Sequence, residues 1–249
     1  MCIAVYQPKG EKLSEETFYQ CYDRNPDGFG LMFAKKGEIK IYKTLDGPDK
    51  AYALYSKLRK GEGRGKNMVL HFRIATHGSV NKENCHPFRV NDHLALAHNG
   101  IIHAVDTRNY KDMSDTRVFA KEILAKLPDF FEWEEPITRL IEEFIGHSKL
   151  ILLDSEGMAH IYNEGMGEWA DGMWFSNGSY CKPAPFKVPA RFTTHAPMAS
   201  AKKKTRSPSK PAAQKPGPVK DVTKAYKTGN YRTQKYSTQK TFWTAEDAK

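Results

Sequence analysis

Apolar periodicity runs through this chain to about residue 181 and then stops. Beyond that point Pro, Lys, Ser, Thr and Ala dominate. Such a segment cannot bury enough surface to offset the entropy of ordering it. Residues 182–249 are therefore expected to form a disordered tail, and any core has to come from residues 1–181. Charge follows the same division. The chain carries 39 Lys+Arg and 29 Asp+Glu, a balance of +10. The tail holds 16 of the basic residues and 3 of the acidic ones, which leaves the body close to neutral. The overall charge thus says nothing about what the body binds. No apolar run reaches the roughly 18 residues that a membrane span needs, so no membrane association is expected. The opening MCIAVYQ is preceded by no basic stretch, and no secretory leader is expected. The cysteines at 2, 21, 85 and 181 form no CxxC pair. That argues against zinc ribbons and disulfide scaffolds, and favours a reducing, cytoplasmic setting.

Within the body, strand-like and helix-like stretches alternate. Residues 2–7 read as a strand and 14–24 as a helix capped by Ser14. The segments 28–34 and 38–44 flank KKGE and suggest a hairpin. Residues 48–60 suit a helix with Pro48 in its first turn and Tyr52, Tyr55 and Leu58 at helical spacing. Residues 68–75 and 93–99 are apolar enough for buried strands. An amphipathic helix is expected over 115–127, with Val118, Phe119, Ile123, Leu124 and Leu127 on one side. A second is expected over 136–146. Residues 149–154 and 158–163 read as another hairpin, and 173–177 as a last strand. Strands at both ends with helices between them argue for a mixed α+β sandwich rather than a doubly wound sheet.

Several residues carry chemistry in this frame. Cys2 is either the first residue of a buried strand or, once Met1 is removed, a nucleophile with its own base. In the second case one residue bears both a thiol and a free α-amine, whose ordinary pKa of about 7.7–8.0 leaves part of it neutral near pH 7. Arg73 interrupts an apolar strand. It reads as an edge residue with an exposed head, or as a fork that grips a carboxylate through two parallel hydrogen bonds. Asn99-Gly100 reads as a tight turn, or as two donors of an oxyanion hole. Asp115 is a first-turn acid of the helix or a receiver for a substrate ammonium. Six of the nine histidines fall between residues 71 and 103. Their spacings contain no HxH or HxxxH pair, so polar or structural roles are favoured over a metal site. Cys85 and His86 are neighbours whose side chains diverge in a strand, and they are not read as a dyad.

Five features occur in order: Met1-Cys2 opening a strand, NPDGFGLMF (25–33), HFRIATHG (71–78) with ENCHPF (83–88), LAHNG (96–100), and SDT (114–116). In this combination the sequence resembles the class II glutamine amidotransferase domains, which are N-terminal nucleophile (Ntn) hydrolases. The resemblance covers residues 1–116; to about 181 only the strand and helix pattern agrees. It implies a four-layer αββα sandwich. It also implies that Cys2 is the nucleophile after loss of Met1, and that Asn99 and Gly100 form the oxyanion hole. Arg73 would bind the α-carboxylate of glutamine, helped by the Thr76-His77-Gly78 backbone, and Asp115 the α-ammonium. Gly28 and Gly30 match a glycine-rich turn near the site. Ile74 stands where biosynthetic members usually carry Trp, and Arg117 where an acidic residue is common. HFRxA and ENCHPF look closer to the stand-alone members.

The expected activity is hydrolysis of the side-chain amide of glutamine, or of a γ-glutamyl compound, through a thioester, with no metal and no organic cofactor. Residues 182–249 lack the core of a synthase domain, so ammonia transfer would require a separate synthetase subunit. A stand-alone γ-glutamyl hydrolase uses the same residues. A different class of reading rests on the tail. Lysines interleaved with Tyr226, Tyr231, Tyr236 and Trp243, within 202–243, suit a single-stranded nucleic acid, whose bases stack on aromatic rings and whose phosphates pair with cations. A solvated tether is the plainer reading of the same residues.

Overall fold

In a computed structural model of the chain, residues 2–75 and 79–181 are described. Their architecture follows from strand parity. The first sheet takes β1 (Ile3–Gln7), β2 (Phe29–Lys35), β3 (Glu38–Thr44) and β4 (Met68–Phe72). The second takes β5 (Phe88–Arg89), β6 (Leu94–Asn99), β7 (Lys149–Asp154) and β8 (Ala159–Tyr162). Two late strands, β9 (Glu168–Ala170) and β10 (Met173–Phe175), return to the first sheet. Its order is β3-β2-β4-β1-β10-β9, and that of the second is β5-β6-β7-β8. Every pairing is antiparallel.

Alternate residues of each strand feed different cores. On the first sheet, Ile3, Val5, Leu31, Phe33, Leu70 and Phe72 face an outer layer of two helices. These are α1 (Glu15–Arg24) and α2 (Pro48–Lys60). The Ser14 hydroxyl caps α1 by accepting from the Thr17 amide at 3.0 Å, as its position predicts. Phe18 of α1 lies with ring centroids 5.0 Å from Phe29 and 4.9 Å from Phe72. The opposite parity, Ala4, Met32, Val69 and Trp174, meets Ala95, Ala97, Ile151 and Leu153 of the second sheet in a core between the sheets. The remaining face of the second sheet, with Leu94, Leu96, Leu150 and Leu152, packs on Val118, Phe119, Leu124, Ile141 and Ile145. These last two belong to α4 (Glu135–Ile145). Three cores separate four layers, and the described residues form an αββα sandwich, the architecture that the resemblance implied.

One expectation needs correction. The amphipathic segment 115–127 is not a single α-helix. It begins as α3 (Asp115–Val118), widens to a π turn over Phe119–Ile123 and tightens to a 3-10 turn over Leu124–Lys126. The Leu124 amide donates to the carbonyls of both Ala120 and Phe119. Residues five apart share a face in a π turn, so this widening brings Phe119 and Leu124 into the same core. A regular helix would rotate one of them away. The short strands β5 and β9 were also not anticipated, because two or three residues carry no readable periodicity.

No helix among the described residues is long and apolar enough to cross a membrane. The expected disorder of 182–249 and the lysine-interleaved aromatics Tyr226, Tyr231, Tyr236 and Trp243 lie outside the described residues.

Candidate functional site

The ends of three strands meet at one edge of the inter-sheet core. Cys2 precedes β1 and shares the parity of Ala4. Arg73 follows β4 and shares the parity of Val69. Asn99 ends β6 and shares the parity of Ala97. All three positions therefore belong to the inner, sheet-facing side, at the point where the two sheets open. The β1–β4 register pairs Ile3 with Phe72, which sets Cys2 opposite the residues just after β4. There the Ile74 amide donates to Cys2 Sγ at 3.3 Å, and Sγ lies 3.3 Å from the Ile74 carbonyl oxygen.

Arg73 is held by the turn that NPDGFG makes. Its amide donates to the Gly28 carbonyl at 2.8 Å, and its carbonyl accepts from the Asp27 amide at 2.9 Å. The Asp27 carboxylate then accepts from the Ala75 amide at 2.7 Å. Gly30 explains the second glycine of that motif. A Cβ there would stand 2.0 Å from the His86 carbonyl oxygen, so only glycine lets β2 pass the 83–88 segment this closely. The Arg73 side chain is only 3% exposed, which removes the reading of an edge residue with a solvated head. Its Nη2 donates to the Ser79 carbonyl at 3.2 Å, and the buried Nη1 has no partner among the described residues.

Asn99-Gly100 is not a hairpin turn. Asn99 pairs across the sheet with Lys149, and the connection from β6 to β7 spans the whole of α3 and α4. Gly100 has φ +139°, and a Cβ there would lie 2.2 Å from Ser148 Oγ and 2.9 Å from Ser148 Cα. The Asn99 amide nitrogen donates to the Cys2 carbonyl oxygen. Asn177, which the sequence reading passed over, donates to the same oxygen at 2.7 Å and lies 3.3 Å from Asn99 Oδ1.

Asp115 opens α3 behind the Ser114 cap. One carboxylate oxygen accepts from the Ile102 amide at 2.7 Å, and the other lies 3.4 Å from the Thr116 hydroxyl. Asn84, fully buried, ties this element to the Arg73 side. Its Oδ1 accepts from the Ser114 amide, while its Nδ2 donates to the carbonyls of Asp112 and Ser79. Asn84 lies within the ENCHPF motif but was given no role there. Cys2, Arg73, Asn84, His86, Gly100 and Asp115 surround one small cavity of about 20 Å³, room for a single water. A ligand the size of an amino acid needs a wider opening between these walls.

Three of the six clustered histidines pack together against this cavity. The His71 and His86 rings lie 4.0 Å apart, and those of His86 and His98 lie 6.3 Å apart. His71 Nε2 is 3.0 Å from the His98 carbonyl oxygen, and His98 Nδ1 is 2.9 Å from the Thr116 hydroxyl. Among the described residues, both ring nitrogens of His86 and Nε2 of His98 are buried without a partner. Burial pushes all three imidazoles toward the neutral form, His71 down to about 3, His98 down to about 4 and His86 well below its ordinary value. Burial also pushes the Cys2 thiol up, against the Ile74 hydrogen bond and the positive charges of the amino terminus and Arg73. Among the described residues, no group of three or more His, Cys, Asp or Glu is arranged to hold a metal ion. Thr76, His77 and Gly78, expected to assist substrate binding, lie outside the described residues.

Residues 13–135 match the family described as glutamine amidotransferases class-II. The chain carries a class II glutamine amidotransferase domain. The match starts after Cys2 and ends within the first turn of α4. Curated relatives include the glutamine–fructose-6-phosphate aminotransferase (isomerizing) of Staphylococcus epidermidis. It is 30% identical over 164 residues, which are 59% of this chain and 25% of that protein. The enzyme of the same name from Photorhabdus laumondii is 28% identical over 152 residues, 55% of this chain and 23% of its own length. The chain thus spans about a quarter of the length of these relatives. A solved glutamine phosphoribosylpyrophosphate amidotransferase from B. subtilis aligns with 70% of this chain and 41% of its own, at 20% identity and a TM-score of 0.42.

Proposed function

We propose that this class II glutamine amidotransferase hydrolyses the side-chain amide of glutamine or of a related γ-glutamyl compound, with Cys2 as nucleophile. One observation carries the reading. Cys2, a buried Arg73 whose Nη1 has no partner among the described residues, and the carboxylate of Asp115 line the same cavity. A buried guanidinium without a full set of partners costs free energy unless an anionic group completes it, and a substrate α-carboxylate does so. Asp115 offers the opposite charge to an α-ammonium. Holding both charges of the head group at once fixes how far the side-chain amide extends toward Cys2.

The reaction requires a base, because the buried Cys2 thiol is held in its protonated form near pH 7. Removal of Met1 frees the Cys2 α-amine to take that proton, directly or through one water. The thiolate attacks the amide carbon. Asn99 Nδ2 and the Gly100 amide donate to the oxygen that becomes negative, each worth about 3 kcal/mol in a sheltered site. An amide nitrogen carries two hydrogens, so Asn99 can keep its bond to the Cys2 carbonyl and offer the second. Collapse expels ammonia, which leaves with the proton held by the amine, and a γ-glutamyl thioester remains. Water then attacks the thioester. Its proton passes to the amine, glutamate leaves, and the thiol is restored.

In this reading residues 1–181 are the catalytic unit and 182–249 an appendage. Use of the ammonia in synthesis needs an acceptor site on a separate synthetase subunit, whereas release to water makes the chain a stand-alone γ-glutamyl hydrolase. Ammonia release from glutamine, glutamine analogues and γ-glutamyl peptides, measured on the processed chain with and without cell extract, separates the two. Turnover of a γ-glutamyl substrate that is lost in Cys2→Ala supports the assignment. Equal activity in Cys2→Ala overturns it.

A further inference from the structure

Two of the segments that build the amidase cavity, 83–89 and 113–121, also wall a second one, lined by residues that the proposed amide hydrolysis leaves unused. It measures about 460 Å³ and opens between β3, the 83–89 segment and the π turn after α3. Four cationic side chains converge on it, Lys43, Arg89, Arg117 and Lys121, against one lining carboxylate, Glu83. Lys121 is paired with Glu122 at 3.3 Å, and Arg89 donates to the Ile39 carbonyl at 2.7 Å. Lys43 is the most constrained. Its ammonium lies 4.9 Å over the Phe88 ring and 3.4 Å from the Lys82 carbonyl oxygen. Among the described residues, the Arg117 guanidinium has no hydrogen-bond or ion-pair partner. Burial pushes the Lys43 ammonium below its ordinary value, and the Arg117 charge adds to that, while Cys85 and Glu83 oppose it.

Two cations held together in a partly desolvated concavity repel each other until an anion joins them. A dianion relieves this better than a monoanion, and a guanidinium fork fits phosphate oxygens. The rest of the lining, Ile41, Met113 and Ala120, is apolar. We propose that this cavity is a binding site for a small organic phosphate, whose phosphoryl group sits between Lys43 and Arg117 and whose apolar part lies on Ile41 and Met113. Its size is within the range of small-molecule pockets, about 300–1,000 Å³. The lining includes Glu83, next to Asn84, and Met113 and Arg117, each two residues from Asp115, so both cavities draw on the same segments.

The test is calorimetric titration of the full chain at low salt with phenyl phosphate, inorganic phosphate and phenol, none of which requires amide hydrolysis. Failure here therefore leaves the proposed activity standing. Saturable binding of phenyl phosphate is expected, tighter than inorganic phosphate, with none of phenol. Lys43→Gln and Arg117→Gln should each weaken it by roughly 10-fold or more, whereas Arg139→Gln on α4 should not. Should Lys43→Gln not fold, Arg117→Gln decides the matter. No binding up to about 10 mM, equal binding of inorganic phosphate, or binding untouched in Arg117→Gln would overturn the site.

Discussion

Asn177 Nδ2 stands 2.7 Å from the carbonyl oxygen of Cys2, although 175 positions separate the two residues. The pairing of β1 with β10 makes this possible, because Val5 registers with Phe175 and Tyr6 with Trp174. The same amide lies 3.3 Å from Asn99 Oδ1, so Asn177 orients the side chain assigned to the oxyanion hole without being placed on the substrate. Asn177→Ala should lower kcat by about 10-fold and leave KM nearly unchanged, whereas Asn99→Ala should lower it by roughly 10²–10³-fold. Steady-state kinetics on both variants checks this. A KM effect without a kcat effect in Asn177→Ala would contradict the positioning role.

Arg73→Lys should raise KM for glutamine by about 10–100-fold with a smaller effect on kcat. A lysine keeps the charge but cannot make two parallel hydrogen bonds to a carboxylate. The buried position also leaves the shorter side chain no solvent to compensate it. Initial-rate measurements over a wide glutamine range test this, and an unchanged KM would remove Arg73 from the substrate's carboxylate.

Gly100→Ala should destabilise the fold by about 2–4 kcal/mol, through a backbone conformation that L side chains avoid and contact with Ser148. Thermal unfolding should show a fall of roughly 5–15 °C for a body of this size. Because Ser148 Cα as well as its side chain lies within 3 Å of the added carbon, Ser148→Ala should not rescue the variant. Full rescue would mean that the hydroxyl alone forbids a side chain here.

The three buried histidines make stability depend on pH. Their folded-state pKa values lie below the ordinary value of about 6.5, so the unfolded chain binds more protons between about pH 4 and 6.5. Stability should therefore be full above about pH 7 and fall as the pH drops, by up to about 1.4 kcal/mol per unit for each histidine that differs. Urea unfolding between pH 7 and 5, above the range where most carboxylates titrate, measures the slope. His86→Phe should flatten it. A wild-type curve flat over this range would contradict neutral burial of the cluster.

Where side chains alternate or recur over five or more residues, the elements were legible. The hairpin of β2 and β3, the Ser14-capped α1 and the Pro48-led α2 all follow local rules of spacing and capping. The π turn over Phe119–Ile123 was not, because its cause is tertiary: the second sheet draws Phe119 and Leu124 into one core. Of the site, the residues within contiguous motifs stood out, namely Cys2, Arg73, Asn99, Gly100 and Asp115. Asn177 carried no local signal, since its part depends on β10 returning beside β1. The histidines were visible as a density but not as a cluster. Their grouping arises because β4, β6 and the 83–88 segment converge, and spacing along the chain does not report that. Asn84 sat inside a quoted motif, but its hydrogen bonds to Ser79, Asp112 and Ser114 exist only in the folded chain.

Cys2, freed of Met1, is proposed above as the nucleophile of a γ-glutamyl pocket. Intact-mass spectrometry of the purified chain, before and after exposure to a diazo-ketone analogue of glutamine, tests it most directly. A mass lacking Met1 and a single adduct that is absent in Cys2→Ala are expected. A retained Met1, or a processed chain that stays unlabelled, would contradict it.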